Sequence, residues 1–377
     1  MADILVIREE RDRFGRPRRS RLRYEVEFDA ALGVYRSRLL PGSGTSPKHR
    51  LTRVVALGGG TGLPVVLRGL RGHLPPDCRI TAVVTAADDG GSSGVLREQY
   101  GVLPPGDIRN CLLALAGVAP EVSAALQYRF DGTSGPHHPV GNLLLTALGK
   151  VAGDEVTAIR LAAGLLGVED VVLPSTKGQV HLVADLVDGR SVRGESSIPL
   201  SGAPIARIRL DPPDAVPAPG VLEALQAADA IIIGPGSLFT STLATLLVPG
   251  ILHAITASPA ARIFICNLMT EPGETDGYGL RAHLEALASH GLPTEVLDYV
   301  VVNTPPIPPD VRARYAAEGA EPVAPDFSPS ESSPLLISAD LLDPDVVIRH
   351  SPDNLGSLLC ELATGHSQLT REAKQWL

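Results

Sequence analysis

Five short apolar runs, Arg53 to Leu57, Ile80 to Thr85, Ala230 to Ile233, Arg262 to Cys266 and Tyr299 to Val302, each give way to a small or polar turn and then to a helical pattern. Continuous Val and Ile runs alternating with helices require a parallel sheet covered on both faces, because a half-exposed strand would alternate apolar with polar residues. In an open parallel sheet the C-terminal strand ends face one crevice, so the loops after these five runs are expected to meet there. Helical periodicity in Asp107 to Gly117, Glu121 to Tyr128, Gly141 to Val151 and Asp154 to Gly164 predicts a small helical lobe over the crevice, spanning about 95–167. Residues about 171–210 read instead as a β-hairpin insertion: Val180 to Val187, then Asp188-Gly189, then Arg190 to Glu195 carries the Asp-Gly pair favoured by a type I′ turn. Eight prolines between Pro305 and Pro334 predict irregular or extended chain rather than a core helix.

The ends of the chain have a different character. Residues 1–50 read as a basic extension with a hairpin signal at Tyr24 to Phe28 and Leu32 to Tyr35, closed by a Pro41 to Pro47 linker. Residues 51–350 form the α/β domain, and 351–377 a C-terminal helix or tail. Lys and Arg exceed Asp and Glu by 6 up to Arg53, and fall short by 15 beyond it. So acidic a body argues against a general nucleic-acid partner. The 377 residues contain no uncharged apolar stretch long enough to span a membrane. Cys78, Cys111, Cys266 and Cys360 form no CxxC pair, which fits a reducing cytoplasm. The ten histidines show no zinc-ligand spacing; His283 and His290 read as helix-face residues.

Two glycine turns are candidates for anion binding. Gly58-Gly59-Gly60-Thr61-Gly62 joins a strand to a helix that carries Pro64 in its first turn. Such a turn brings backbone N–H groups and a helix N-terminus up to a phosphate, or simply makes a tight corner. It has neither the third spacing of a dinucleotide fingerprint nor the Lys of a Walker A loop, so a standard NAD or ATP site is not expected. Gly234-Pro235-Gly236-Ser237 repeats the arrangement, with Ser237 or Thr240 placed to cap the next helix, and two such turns on one crevice suit a diphosphate.

The loop Asp88-Asp89-Gly90-Gly91-Ser92-Ser93 puts adjacent carboxylates at a strand end, which suits Mg²⁺ bridging phosphate oxygens, or a helix cap. Asp107 either completes such a metal site or serves its own helix; Arg109 pairs with phosphate or with a nearby acid, and Asn110 accompanies it. Asn142 opens another helix, where capping is the ordinary role. After the fourth strand, Asn267 and Thr270 can read a base or sugar edge, and Glu271 and Glu274 are candidate acids. Cys266 reads as inert core.

Taken in order, Gly-Gly-Gly-Thr-Gly-Leu at 58–63, Ala-Asp-Asp-Gly-Gly-Ser-Ser-Gly at 87–94, Pro-Pro-Gly-Asp-Ile-Arg-Asn at 104–110, Gly-Asn-Leu-Leu-Leu at 141–145, Gly-Pro-Gly-Ser-Leu-Phe-Thr-Ser at 234–241 and Pro-Gly-Glu-Thr at 272–275 resemble the gluconeogenesis factor, or YvcK-like, branch of the CofD-like proteins. The resemblance implies a Rossmann-like three-layer α/β/α core and a cytoplasmic protein. It also implies a ligand of the UDP-sugar type, such as UDP-N-acetylglucosamine, with roles in gluconeogenic growth, cell shape and wall-precursor supply. The related transferase branch, 2-phospho-L-lactate transferase, uses Mg²⁺, and the match puts Asp88, Asp89 and Asp107 where that branch holds its metal. Arg349, in Val347-Ile348-Arg349-His350, stands where the sugar-nucleotide branch is expected to meet its ligand. The N-terminal 50 residues and Pro136-His137-His138-Pro139 depart from the family pattern. Two functions follow as expectations, a nucleotide-sugar-binding regulator without turnover or a Mg²⁺-dependent transferase, with no NAD, haem or zinc, no membrane or nucleic-acid partner, and a homodimer compatible with either. No catalytic residue is assigned.

Overall fold

A computed structural model describes residues 2–11, 17–29, 34–39, 51–130, 137–303, 307–327, 334–343 and 348–374. The Pro41 to Pro47 linker lies outside them. The extension pairs β1 (Ala2–Arg11), β2 (Pro17–Asp29) and β3 (Val34–Leu39) into an antiparallel sheet of its own, in the order β1-β2-β3.

The main sheet follows from the apolar runs. Its strands are β4 (Arg53–Gly58), β5 (Arg79–Val84), β6 (Val171–Pro174), β10 (Ala230–Ile233), β11 (Ala261–Ile265), β12 (Tyr299–Asn303) and β13 (Leu335–Ala339). All six pairings are parallel, in the spatial order β13-β12-β11-β10-β4-β5-β6. Residues alternate between the two faces: Val55, Leu57, Ile231 and Ile233 enter one core, while Val54, Ala56, Ala230 and Ile232 enter the other. Each of these eight is at most 1% exposed, which is why the strands read as unbroken apolar runs.

Helices α1 (Gly62–His73), α3 (Pro105–Leu115) and α12 (Pro352–Lys374) cover one face. The other is covered by α7 (Val221–Ala227), α9 (Ile251–Ala257) and α10 (Leu280–Ser289), and by a small antiparallel sheet of β7 (His181–Leu186), β8 (Ser191–Arg193) and β9 (Ile205–Asp211). The lobe consists of α2 (Gly91–Tyr100), α4 (Pro120–Gln127), α5 (Val140–Ala152) and α6 (Glu155–Leu165), with α3 linking it to the sheet. A short α8 (Ala244–Leu246) continues the turn of helix that opens at Leu238.

The fold is therefore the Rossmann-like three-layer α/β/α arrangement, with two strands more than the five apolar runs. The sequence reading put residues from 171 onward in the hairpin insertion, whereas Val171–Pro174 is the edge strand of the main sheet and the insertion begins later. The proline-rich stretch contains a helix, α11 (Pro309–Ala317), since Pro309 occupies the first turn, where a missing N–H costs nothing, and β13 follows its last proline. Among the described residues no single helix is long and apolar enough to cross a membrane.

Candidate functional site

The chain runs from β4 outward to β5 and β6, then returns to the far side of β4 as β10. The strand order reverses between β4 and β10, so their C-terminal loops splay apart and leave a crevice. Those loops are the two glycine turns. They interlock: a Cβ on Gly62 would sit 2.2 Å from the Pro235 carbonyl oxygen, so a residue larger than glycine would force the turns apart. Gly60 adopts φ +59° and Gly236 donates its N–H to Asn267 Oδ1 at 3.2 Å. Neither Thr61, before α1, nor Ser237, before the next helical turn, caps its helix with its side chain; Leu63 N–H meets Gly59 O at 3.5 Å, Pro64 has no N–H, and the backbone of Phe239 and Thr240 faces Glu274.

Carboxylates ring this cradle. Asp107, in the first turn of α3, accepts the Gly60 N–H at 2.6 Å. Burial, and then the charge of Asp88, lifts its ionisation to about 6. Asp88 accepts the Gly90 N–H at 2.9 Å and is also pushed upward, chiefly by burial. Asp89 faces elsewhere: its two oxygens take the N–H groups of Glu195 and Ser196 and the Ser196 hydroxyl, at 3.1, 2.9 and 2.8 Å, anchoring the turn that follows the hairpin. That turn delivers Glu195, which burial and the charges of Asp88, Asp89, Glu274 and Asp107 raise to about 8. Glu274 accepts from Thr240 Oγ1 at 3.0 Å, keeps its other oxygen unpartnered and is raised to about 7 by burial and by Glu271. Among the described residues no three carboxylate, His or Cys groups are placed to enclose a metal.

The remaining expected residues fall into three places. Ser93 accepts the Gly106 N–H at 3.1 Å, tying α2 to α3, while Ser92, Arg109, Asn110 and Asn142 form one hydrogen-bonded chain on the lobe side. Beyond β11 and β12 a cavity of about 300 Å³ opens between Asn267, Leu268, Asn303, Ile307, Arg312 and Val323. Thr270 is held at its edge, its N–H donating to Glu321 O at 2.7 Å and its hydroxyl accepting from Glu321 N at 2.9 Å. Arg349 is not brought to the glycine turns by any contact; it neighbours Arg68 on α1, whose pKa its charge helps depress.

Glu195 is the residue that sequence reasoning missed. It stands 106 positions beyond Asp89 and belongs to no motif; only the Gly194-Glu195-Ser196-Ser197 turn at the hairpin's end hinted at a functional loop. Gly194 there has φ +107° and a Cβ on it would lie 2.9 Å from Asp89 Oδ2.

Fold and site together define a Rossmann-like α/β protein with two glycine turns in contact at the switch point of its sheet, beside a helical lobe. Residues 54–342 match the family model described as 2-phospho-L-lactate transferase CofD. The chain is 43% identical over 311 residues to the gluconeogenesis factor of Halalkalibacterium halodurans, covering 82% of this chain and 95% of that one. The Bacillus subtilis gluconeogenesis factor is likewise 43% identical, over 313 residues covering 82% and 98%. A crystal structure of a UPF0052-family protein from Bacillus halodurans superposes with a TM-score of 0.77 at 41% identity, covering 83% of this chain and 99% of that one. The chain belongs to the CofD-like proteins, in their gluconeogenesis factor branch.

Proposed function

We propose that this protein binds a nucleoside-diphosphate sugar of the UDP-N-acetylglucosamine type and acts in the cytoplasm as a regulator of carbon flow, cell shape and wall-precursor supply. The observation that carries the reading is the contact of Gly62 with Pro235, which brings the two glycine turns and the helix starts behind them together at one crevice. The cavity beyond β11 and β12 suits the base, with Asn267 shared between the cradle and that cavity.

Mg²⁺ fits as a companion of the diphosphate. A cation that keeps most of its waters needs only one or two carboxylates, and Asp88 and Asp107, each raised in part by a neighbouring carboxylate, would be relieved by it. Asp89 is already engaged with residues 195 and 196. Bound there, the ion would neutralise charge on the phosphate oxygens.

The second reading, a transferase acting at the diphosphate, draws support from the family description and from the same two acids. Calorimetry with UDP-N-acetylglucosamine, with and without Mg²⁺, tests the binding: Gly236→Val should abolish it, because the valine side chain would crowd the Gly59 carbonyl and distort a backbone at φ +157°. Long incubation tests the choice between readings. Intact ligand supports the regulator, and Mg²⁺-dependent release of UMP or UDP that vanishes in Asp107→Asn would replace it with the enzyme.

A further inference from the structure

The lobe carries a cluster that the diphosphate cradle does not use. Arg109 donates to Asn142 Oδ1 at 2.5 Å and to Asn110 Oδ1 at 2.8 Å, both neutral acceptors, while its Nε is buried with no partner. The acid that acts on it, Asp107, accepts the Gly60 N–H instead. A guanidinium carries five donors and strongly prefers an anion, so these two amides leave its charge uncompensated.

More cationic and donor groups converge on the same spot. Arg129 lies close enough to Arg109 and to His138 to depress the pKa of each, after burial, which does so first. His138 Nδ1 lies 2.8 Å from Ser92 Oγ, and Ser92 in turn accepts from Asn142 Nδ2 at 3.0 Å. His138 Nδ1 is thereby paired with Ser92, and Nε2 is the ring nitrogen left for a further partner. Two arginines and a histidine therefore gather at one place, and the hydrogen bonds of all three go to neutral groups, Arg129 donating to the His137 carbonyl.

We infer that the lobe holds a second anion subsite, formed by Arg109, Arg129 and His138, which takes a phosphate or carboxylate additional to the diphosphate. It rests on the reading above only in that the diphosphate occupies the cradle. The anion reaches it as a group carried on the sugar of the nucleotide or as a separate small molecule.

The full-length protein titrated with inorganic phosphate, alone and with saturating UDP, separates these cases. Phosphate is expected to bind with UDP already in place, and Arg109→Gln and His138→Gln each to weaken it about tenfold or more, as loss of a charge-assisted contact does. His138 is partly exposed, so its variant reports on the subsite even if Arg109→Gln misfolds. In a second arm, tighter binding of UDP-glucuronate than of UDP-glucose that disappears in His138→Gln places the anion on the ligand itself. Phosphate that only displaces UDP, together with no preference for UDP-glucuronate, overturns the subsite, as does phosphate binding that survives both substitutions. If UDP does not bind at all, the cradle reading fails by itself, and phosphate binding to the free protein, with the same two variants, still decides the subsite.

Discussion

Replacing Asp107 by Asn should stabilise the ligand-free, metal-free protein, and by an amount that depends on pH. An ordinary Asp ionises near 3.8, whereas Asp107 does so at about 6, because it is buried and faces Asp88. The folded protein thus holds this proton more tightly than the unfolded chain, and stability falls as pH rises from about 4 to 6 and stays lower above. At about 1.4 kcal/mol per pH unit, the ionised carboxylate costs about 3 kcal/mol at pH 8 and roughly half of that at pH 5. Asn cannot ionise, yet its Oδ1 still accepts the Gly60 N–H now bonded at 2.6 Å. Removing the charge also eases ionisation of Glu195, which Asp107 helps to raise. Urea unfolding in EDTA at pH 5 and pH 8 should show Asp107→Asn gaining about 1 to 2 kcal/mol more at the higher pH, with water in the crevice trimming the full value. An equal difference at both pH values would refute the reasoning, and a variant less stable than wild type at pH 8 would show that Arg109 compensates the carboxylate after all.

Metal-free UDP should bind more weakly as pH rises from 6 to 8, since Asp107, Glu274 and Glu195, at about 6, 7 and 8, ionise in turn beside the diphosphate. Calorimetry should register a loss of about tenfold or more, reversed by Mg²⁺, which needs those carboxylates charged. At the opposite end of the domain, Gly356 on α12 touches Gly69 on α1 so closely that a Cβ would lie 2.2 Å from the Gly69 carbonyl oxygen. Gly356→Ala should therefore cost about 1 to 3 kcal/mol in thermal or urea unfolding, and make α12 the first segment cut in limited proteolysis.

The central strands were legible because burial on both faces leaves no polar position in them: β10 reads Ala-Ile-Ile-Ile with every residue fully buried. The edges were not. Strand β6 is four residues long, ends in Pro174 and has Val171 42% exposed, so nothing in its composition separates it from the insertion that follows. Strand β13 begins right after Pro334, and its burial comes from pairing with β12, which no local pattern announces. The glycine turns and the Asp88 loop were recognisable by residue type, but their partners were not. That Asp107 bonds Gly60, 47 residues away, that Asp89 is consumed by residues 195 and 196, 106 and 107 residues away, and that Gly62 abuts Pro235 across the return of the chain from β4 to β10 are all set by the tertiary fold. Spacing along the chain carries no information about such contacts.

The same reversal sets the chemistry of the crevice. The positive ends of the two helices behind the glycine turns attract an anion, and they do so whatever the pH. The carboxylates brought in by β5, α3 and the turn after the hairpin repel it, and they do so only when ionised. A bare diphosphate consequently meets two opposed fields of similar reach, and which one prevails is decided by a proton, a divalent cation or a counter-charge from the lobe. For a regulator this makes occupancy conditional on more than ligand concentration. For a transferase it would store repulsion that a cation releases at the moment charge develops on the leaving phosphate. The two cases differ in what Asp107→Asn does: in a regulator it lessens the pH dependence of binding, to which Glu274 and Glu195 still contribute, and leaves the ligand whole, whereas in an enzyme it leaves binding largely intact and removes turnover.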